Sequence, residues 1–231
     1  MTSNDLTGRF TDARKRIASA ASQWGRSPES VQLVAISKGH PADAIRTVAT
    51  AGQRDFGENY LQEVLPKFEA LRDLPLVWHF TGQIQSNKTR PIAEHFAWVH
   101  TVDREKIAAR LSEQRPADAA PINVCIQVSL EDEPGKGGVP VAEVAALAAK
   151  IAVMPRLRLR GLMAIPPPRD TFGEQKALFD RMSALLRDLN DKGLQLDTLS
   201  MGMSDDLEAA VAAGSTLVRI GTAIFGERNR G

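Results

Sequence analysis

The chain has 231 residues, 43% hydrophobic and 25% charged, and its 29 Lys plus Arg against 28 Asp plus Glu leave a net charge of +1. These are globular values. They exclude a disordered or collagen-like chain and any bulk electrostatic pull toward nucleic acid or membrane. The length suits a single α/β barrel domain, and the one cysteine, Cys125, excludes an internal disulfide and a Cys-based zinc cluster.

The first residues are polar and mixed in charge, without the apolar stretch of a signal peptide. No run approaches ~18 apolar residues, the length that spans a membrane. The expectation is a soluble protein of a reducing compartment, the cytoplasm. Residues 5–24 read as a helix, with Leu6, Phe10, Ile17, Ala20, Ala21 and Trp24 at helical spacing. Eight short apolar runs follow, at 31–38, 55–58, 77–82, 98–102, 122–129, 157–165, 198–203 and 217–225. Helix-length segments separate them, clearest at 41–51, 103–114, 141–153, 175–189 and 205–213. Several runs are rich in Val and Ile without polar alternation, as in strands covered on both faces. Eight such strands alternating with helices predict a single-domain (β/α)8 TIM barrel of the α/β class. An open doubly wound sheet is the alternative. No G-x-G-x-x-G follows the first strand, and no Walker A sequence occurs. The last strand falls near the end of the chain, so no second domain is expected.

In chain order, the first chemistry-bearing residue is Lys38. Of nine lysines, eight fall in helices or loops and read as solvated surface, whereas Lys38 ends the apolar run 31–37. Gly39-His40-Pro41 then closes the strand, which puts Lys38 at the C-terminal mouth of the barrel, where such enzymes keep their sites. A lysine with an apolar approach loses its proton more readily, and the neutral amine is the nucleophile for a Schiff base. A rim lysine reaching to water is the plainer reading. Gly57-Glu58-Asn59-Tyr60 follows the second strand, and Tyr60 reads as helix-start packing. His79, inside the third apolar run, is either a satisfied core histidine or a ligand contact. His79, His95 and His100 do not form a metal spacing. Lys88 and Arg90 read as a solvated helix face, and the glycine-rich 133–138 as a loop. Pro166-Pro167-Pro168 stops strand six. Cys125 reads as a core strand residue.

The loops after strands seven and eight are the usual phosphate site of this fold. Ser200, Ser204 and Thr222 offer hydroxyls there, and backbone N–H groups lie beside Gly202 and Gly221. Ser204 also reads as a helix N-cap and Thr222 as a strand residue. Asp205 and Asp206 suit a helix N-terminus but would repel a dianion. Arg219, in an apolar strand, needs an acceptor, either a structural carboxylate or a ligand.

Together the motifs 34–38, 56–60, 78–88, 160–163, 199–206 and 219–226 resemble the pyridoxal phosphate homeostasis protein family (the YggS/PLPBP type) over nearly the whole chain. The resemblance implies a barrel like the N-terminal domain of alanine racemase (fold-type III). It implies pyridoxal 5'-phosphate held as a Schiff base on Lys38, with no catalytic residue and no metal. It implies that Ser204, Gly221 and Thr222 hold the phosphate with Ser200 near it. Arg219 would face the pyridine nitrogen, and Asn59 and His79 would line the pocket. Thr81 departs from the family pattern, which usually has an apolar β-branched residue there.

The family reading implies a carrier or regulator of the cofactor. Apo-enzymes that receive it are the possible partners, without nucleic acid or membrane. The composition shows no exposed apolar stripe, and a monomer is expected. Racemisation would need an acid/base on each face of the cofactor. The only tyrosine is Tyr60, and an Arg at the ring nitrogen weakens the electron sink. A weak racemase and a lysine-imine enzyme acting on a phosphorylated sugar are the competing readings. Whether Lys88 or Lys136 forms a second, transient cofactor site is left open.

Overall fold

The computed structural model describes residues 2–131 and 137–227. The strands are β1 Gln32–Ile36, β2 Asp55–Glu58, β3 Val77–Phe80, β4 Trp98–Val102, β5 Ile122–Ser129, β6 Val139–Pro140, β7 Leu157–Met163, β8 Thr198–Ser200 and β9 Leu217–Ile220. All pairings are parallel. The order β4-β3-β2-β1-β9-β8-β7-β5 closes through β4–β5 into an eight-stranded barrel, and β6 adds a short edge to β5. The expected barrel is therefore present, with one extra two-residue strand.

The helices are α1 Ser3–Gln23, α2 Ala42–Thr50, α3 Leu61–Ala70, α4 Thr89–His95, α5 Glu105–Gln114, α6 Val141–Ala152, α7 Phe172–Asp191, α8 Leu207–Ala212 and α9 Thr222–Phe225. α1 starts where Thr2 Oγ1 accepts from the Asp5 N–H, and it buries Leu6, Phe10, Ala13, Ile17, Ala20 and Ala21 against α2, α8 and α9. α7 starts at a reciprocal Thr171–Glu174 capping box. Among the described residues no helix is long and apolar enough to cross a membrane.

Several boundaries differ from the sequence expectation, and three differences bear on the site. The run 217–225 is not one strand. β9 stops at Ile220, and the Ile224 and Phe225 N–H groups donate back to the Gly221 carbonyl, closing a helical turn. Ile224 and Phe225 join the apolar layer with α1, so they are apolar for helix packing and not for strand pairing. The run 198–203 ends as strand at Ser200, because Gly202 turns the chain at φ +98°. Ser204 is not the N-cap of α8; Asp206 occupies that position. Residues 132–136, most of the glycine-rich stretch and Lys136 with it, lie outside the described residues.

Cys125 is a core residue of β5, packed with Trp98 and Met163. Burial pushes its thiol up to about 12. The thiolate is the reactive form, so the native protein is expected to leave a thiol-specific chromogenic reagent unchanged and the denatured chain to consume it. Rapid labelling of the native protein would contradict this burial.

Candidate functional site

A cleft of about 560 Å³ opens at the C-terminal mouth of the barrel. Lys38, Asn59, Ser204, Arg219, Gly221 and Thr222, drawn from the ends of β1, β2, β8 and β9, all line it. Six of the eight sequence-derived site residues thus meet in one place. Ser200 and His79 do not line it; both lie below, inside the barrel, and are fully buried.

Lys38 is placed by its neighbours. The Ser37 N–H donates to the Gly57 carbonyl at 3.0 Å, continuing the β1–β2 ladder. The Ser37 hydroxyl donates to Glu58 Oε1 at 2.7 Å. Lys67 Nζ donates to the same oxygen at 2.6 Å and to the Ser37 carbonyl at 3.1 Å. On the other side Gly39, at φ +75°, donates its N–H to Glu63 Oε2 at 2.8 Å. The residues before and after Lys38 are therefore both tied to carboxylates of the β2–α3 segment. Burial pushes the Glu58 carboxyl up, held back by Lys67 and Ser37. Its Oε2 is buried without a hydrogen-bond partner.

Lys67 corrects the reading of eight solvated lysines: it is 7% exposed. The signal was present, since Lys67 stands three residues after Val64 and four before Leu71, on the buried stripe of α3. Thr81, the departure from the family pattern, donates its hydroxyl to Asn59 Oδ1 at 2.9 Å and so orients that side chain. Tyr60 caps α3, is 53% exposed and lines a neighbouring cleft, not the one with Lys38.

At the opposite end of the cleft, Arg16 of α1 supplies what the sequence reading lacked. Its guanidinium donates to the Ser204 carbonyl at 2.7 Å and holds Glu208 through two bonds of 2.5 and 2.6 Å. Asp206 turns back, accepting from the Met203 N–H at 2.6 Å. Arg16 offsets both acids electrostatically and Arg219 offsets Asp206, while Asp205 lines the cleft. Arg219 donates to Ser200 Oγ at 2.7 Å and to the Ala164 carbonyl at 3.0 Å. Its observed acceptors are a hydroxyl and a carbonyl, not a carboxylate. Burial pushes the guanidinium down to about 10, so it stays charged at neutral pH. Below it, Ser200 Oγ is 2.7 Å from His100 Nδ1, His100 Nε2 is 2.9 Å from His79 Nδ1, and His79 Nε2 is 2.9 Å from Asp55 Oδ1. Among the described residues no His, Cys, Asp and Glu group could hold a metal ion.

A lysine in the turn just after β1, sharing a cleft with the hydroxyls and glycine N–H groups of the loops after β8 and β9, defines a barrel of the alanine racemase N-terminal class. The family model described as "Alanine racemase, N-terminal domain" matches residues 16–229. The chain belongs to the family of pyridoxal phosphate homeostasis proteins. It is 60% identical over 216 residues to the Pseudomonas aeruginosa member, covering 94% of this chain and 93% of that one. It is 51% identical over 229 residues to the Escherichia coli member, covering 98% of each. The solved structure of PipY from Synechococcus elongatus with pyridoxal phosphate bound superposes with a TM-score of 0.81 at 42% identity, over 91% of this chain and all of that one. Alanine racemase from Corynebacterium glutamicum, at 17% identity and a TM-score of 0.72, shares the fold.

Proposed function

We propose that this chain binds pyridoxal 5'-phosphate covalently through Lys38 and serves as a carrier or regulator of that cofactor inside the cell, not as an enzyme. The observation that carries this is the convergence of Lys38, the 204 and 221–222 loops and Arg219 on one cleft. The donor set fits the group. Ser204 and Thr222 bring hydroxyls and Gly221 a backbone N–H for a phosphate, Arg219 a fixed cation for the ring, and Lys38 an amine. When bound, the cofactor supplies an aldehyde that a primary amine captures reversibly.

What the chain's own residues do favours holding over turnover. Lys38 offers an amine on one side, while Tyr60 faces the neighbouring cleft, so racemisation lacks that hydroxyl as its second base. Arg219 keeps its charge and donates hydrogen bonds, which disfavours a protonated ring nitrogen and weakens electron withdrawal. The single buried Cys125 suits the reducing cytoplasm. Handing the cofactor to apo-enzymes, as a monomer, is the role we propose.

The test is an absorption spectrum of the purified protein with added pyridoxal phosphate, before and after borohydride. A band that borohydride removes is expected, with the reduced adduct mapping to the Lys38 peptide and no reducible band in Lys38→Ala. An adduct on another lysine, or no uptake, sinks the reading. Exchange of an amino acid's α-proton in deuterated water by the loaded protein would move the role toward enzyme.

A further inference from the structure

The barrel interior holds a line of polar groups that the cleft does not explain. Arg219, Ser200, His100, His79 and Asp55 come from β9, β8, β4, β3 and β2. Each is hydrogen-bonded to the next at 2.7–2.9 Å. Arg219 is 4% exposed, and Ser200, His100 and His79 are fully buried. Five polar groups in a barrel core are costly unless every one is satisfied.

The two ends give the line a direction. A carboxylate only accepts, so a neutral His79 donates to Asp55 from Nε2 and accepts at Nδ1; His100 Nδ1 is then left to accept from Ser200, whose oxygen accepts from Arg219. A neutral imidazole with an accepting Nδ1 carries its proton on Nε2. His100 therefore donates to His79 Nδ1, and His79 donates from Nε2 to the Asp55 carboxylate. The reverse order would require the Asp55 carboxylate to donate, and it would leave Ser200 Oγ accepting twice. Burial pushes both imidazoles down, His100 well below the ordinary value, in keeping with one proton on each ring. Trp98 stacks on His79 with ring centroids 5.5 Å apart, and the Arg160 guanidinium covers Trp98 at 4.8 Å. These two seal the line where Asp55, its side chain 18% exposed, opens β2 at the far mouth.

We propose that Asp55, His79, His100 and Ser200 are positioning residues for Arg219. They form a one-way hydrogen-bond chain that fixes its guanidinium in the cleft and carries a disturbance there to the opposite mouth of the barrel. The proposal rests on the cofactor reading above for what disturbs Arg219. A buried arginine whose direct acceptors among the described residues are one hydroxyl and one carbonyl gains from a chain ending on a carboxylate. Each link polarises the next. Loading the cleft changes what Arg219 donates to, and every group down the line must respond, although His100 and His79 do not line the cleft.

The experiment is nitrogen-15 NMR of the full chain with labelled histidine, free and loaded with pyridoxal phosphate, loading being read by absorption. Two of the four histidines are expected to be neutral Nε2–H tautomers with slowly exchanging protons in the free protein. Loading is expected to shift both. In Ser200→Ala, compared at saturating pyridoxal phosphate, the response of His79 to loading is lost. In Asp55→Asn an acceptor oxygen remains, so the tautomers hold while the His79 and His100 signals move. In Asp55→Leu the cofactor leaves about three- to ten-fold faster, the size of coupling carried by residues in such networks. A purely local packing role for Asp55 would leave that release rate unchanged. Protons on Nδ1 in the free protein, or buried imidazoles that stay still while the absorption band shows the cofactor in place, overturn the chain. Absence of the band overturns the cofactor reading instead, and the free-protein tautomers still judge the chain.

Discussion

Lys67→Met is expected to cost about 3–5 kcal/mol of stability at neutral pH, the usual penalty for stripping one partner from a buried ion pair. Glu58 is fully buried, one of its oxygens already has no partner, and the other keeps only the Ser37 hydroxyl once Lys67 is gone. The penalty carries a pH signature. Burial raises the Glu58 carboxyl above its ordinary 4.5, so the folded protein holds that proton more tightly than the unfolded chain. Stability from such a group is full in acid, below the ordinary value, and is lost as the pH rises through the folded value. Removing Lys67 removes both its charge and its hydrogen bond from the carboxyl, so the folded value climbs further and the loss deepens. Denaturant titrations in mild acid and at neutral pH should show a smaller penalty in acid. Glu58→Gln added to Lys67→Met should recover most of the stability at neutral pH, since no charge is then buried. An equal penalty at both pH values would contradict the account. Because Lys67 also binds the Ser37 carbonyl, the same variant should loosen Lys38 and weaken cofactor uptake.

The barrel itself was legible. The continuous apolar runs of β1 and β5 and the helical stripes of α1 and α7 report burial on the period of each element, which is a local property. The two-residue β6 has no period to read. The run 217–225 reads as one strand because apolar residues serve a strand up to Ile220 and a helical turn after Gly221, and Thr222 at the change suits a strand as well as a helix start. Lys38, Ser204, Gly221 and Thr222 could be placed from strand ends alone. What could not be read are the partnerships. His79 and His100 meet because β3 and β4 pair with His79 opposite Trp98, which leaves His100 two residues beyond. Arg16 reaches Ser204 across 188 positions of sequence. Such contacts depend on register and on the docking of α1, and neither leaves a mark in residue type. His79, one layer below the mouth, is buried in the barrel interior and is not among the residues lining the cleft.

Gly161→Ala is expected to destabilise the fold by at least about 3 kcal/mol, beyond what a repacked side chain can absorb. The added Cβ would sit 1.8 Å from the Thr198 carbonyl oxygen and 2.7 Å from its carbon, both backbone atoms of β8. No rotamer choice relieves a clash between a Cβ and backbone. The site is also where the β5–β7 register shifts: Val124 pairs Leu159, but Cys125 pairs Gly161, leaving Arg160 as the extra residue. That bulge delivers Arg160 to Asp197, to Asn123 and over Trp98, closing the lower mouth. Pushing β7 from β8 would therefore disturb the cap on His79 and the placement of Ser200 together. In a chain of this size each kcal/mol lowers the melting temperature by about 2–4 °C, so a drop of roughly 6–12 °C or failure to fold is expected. Gly8→Ala in α1 is the matched control. Nothing lies within 4 Å of its added Cβ, and relief of the glycine's helix penalty should stabilise by about 0.5–1 kcal/mol. The same substitution thus carries opposite signs at two positions, decided by what the new atom meets. If Gly161→Ala melted with the wild type, β7 and β8 would not be packed as closely as this contact requires, and the placement of Ser200, which pairs with Met163 across the same seam, would be overturned.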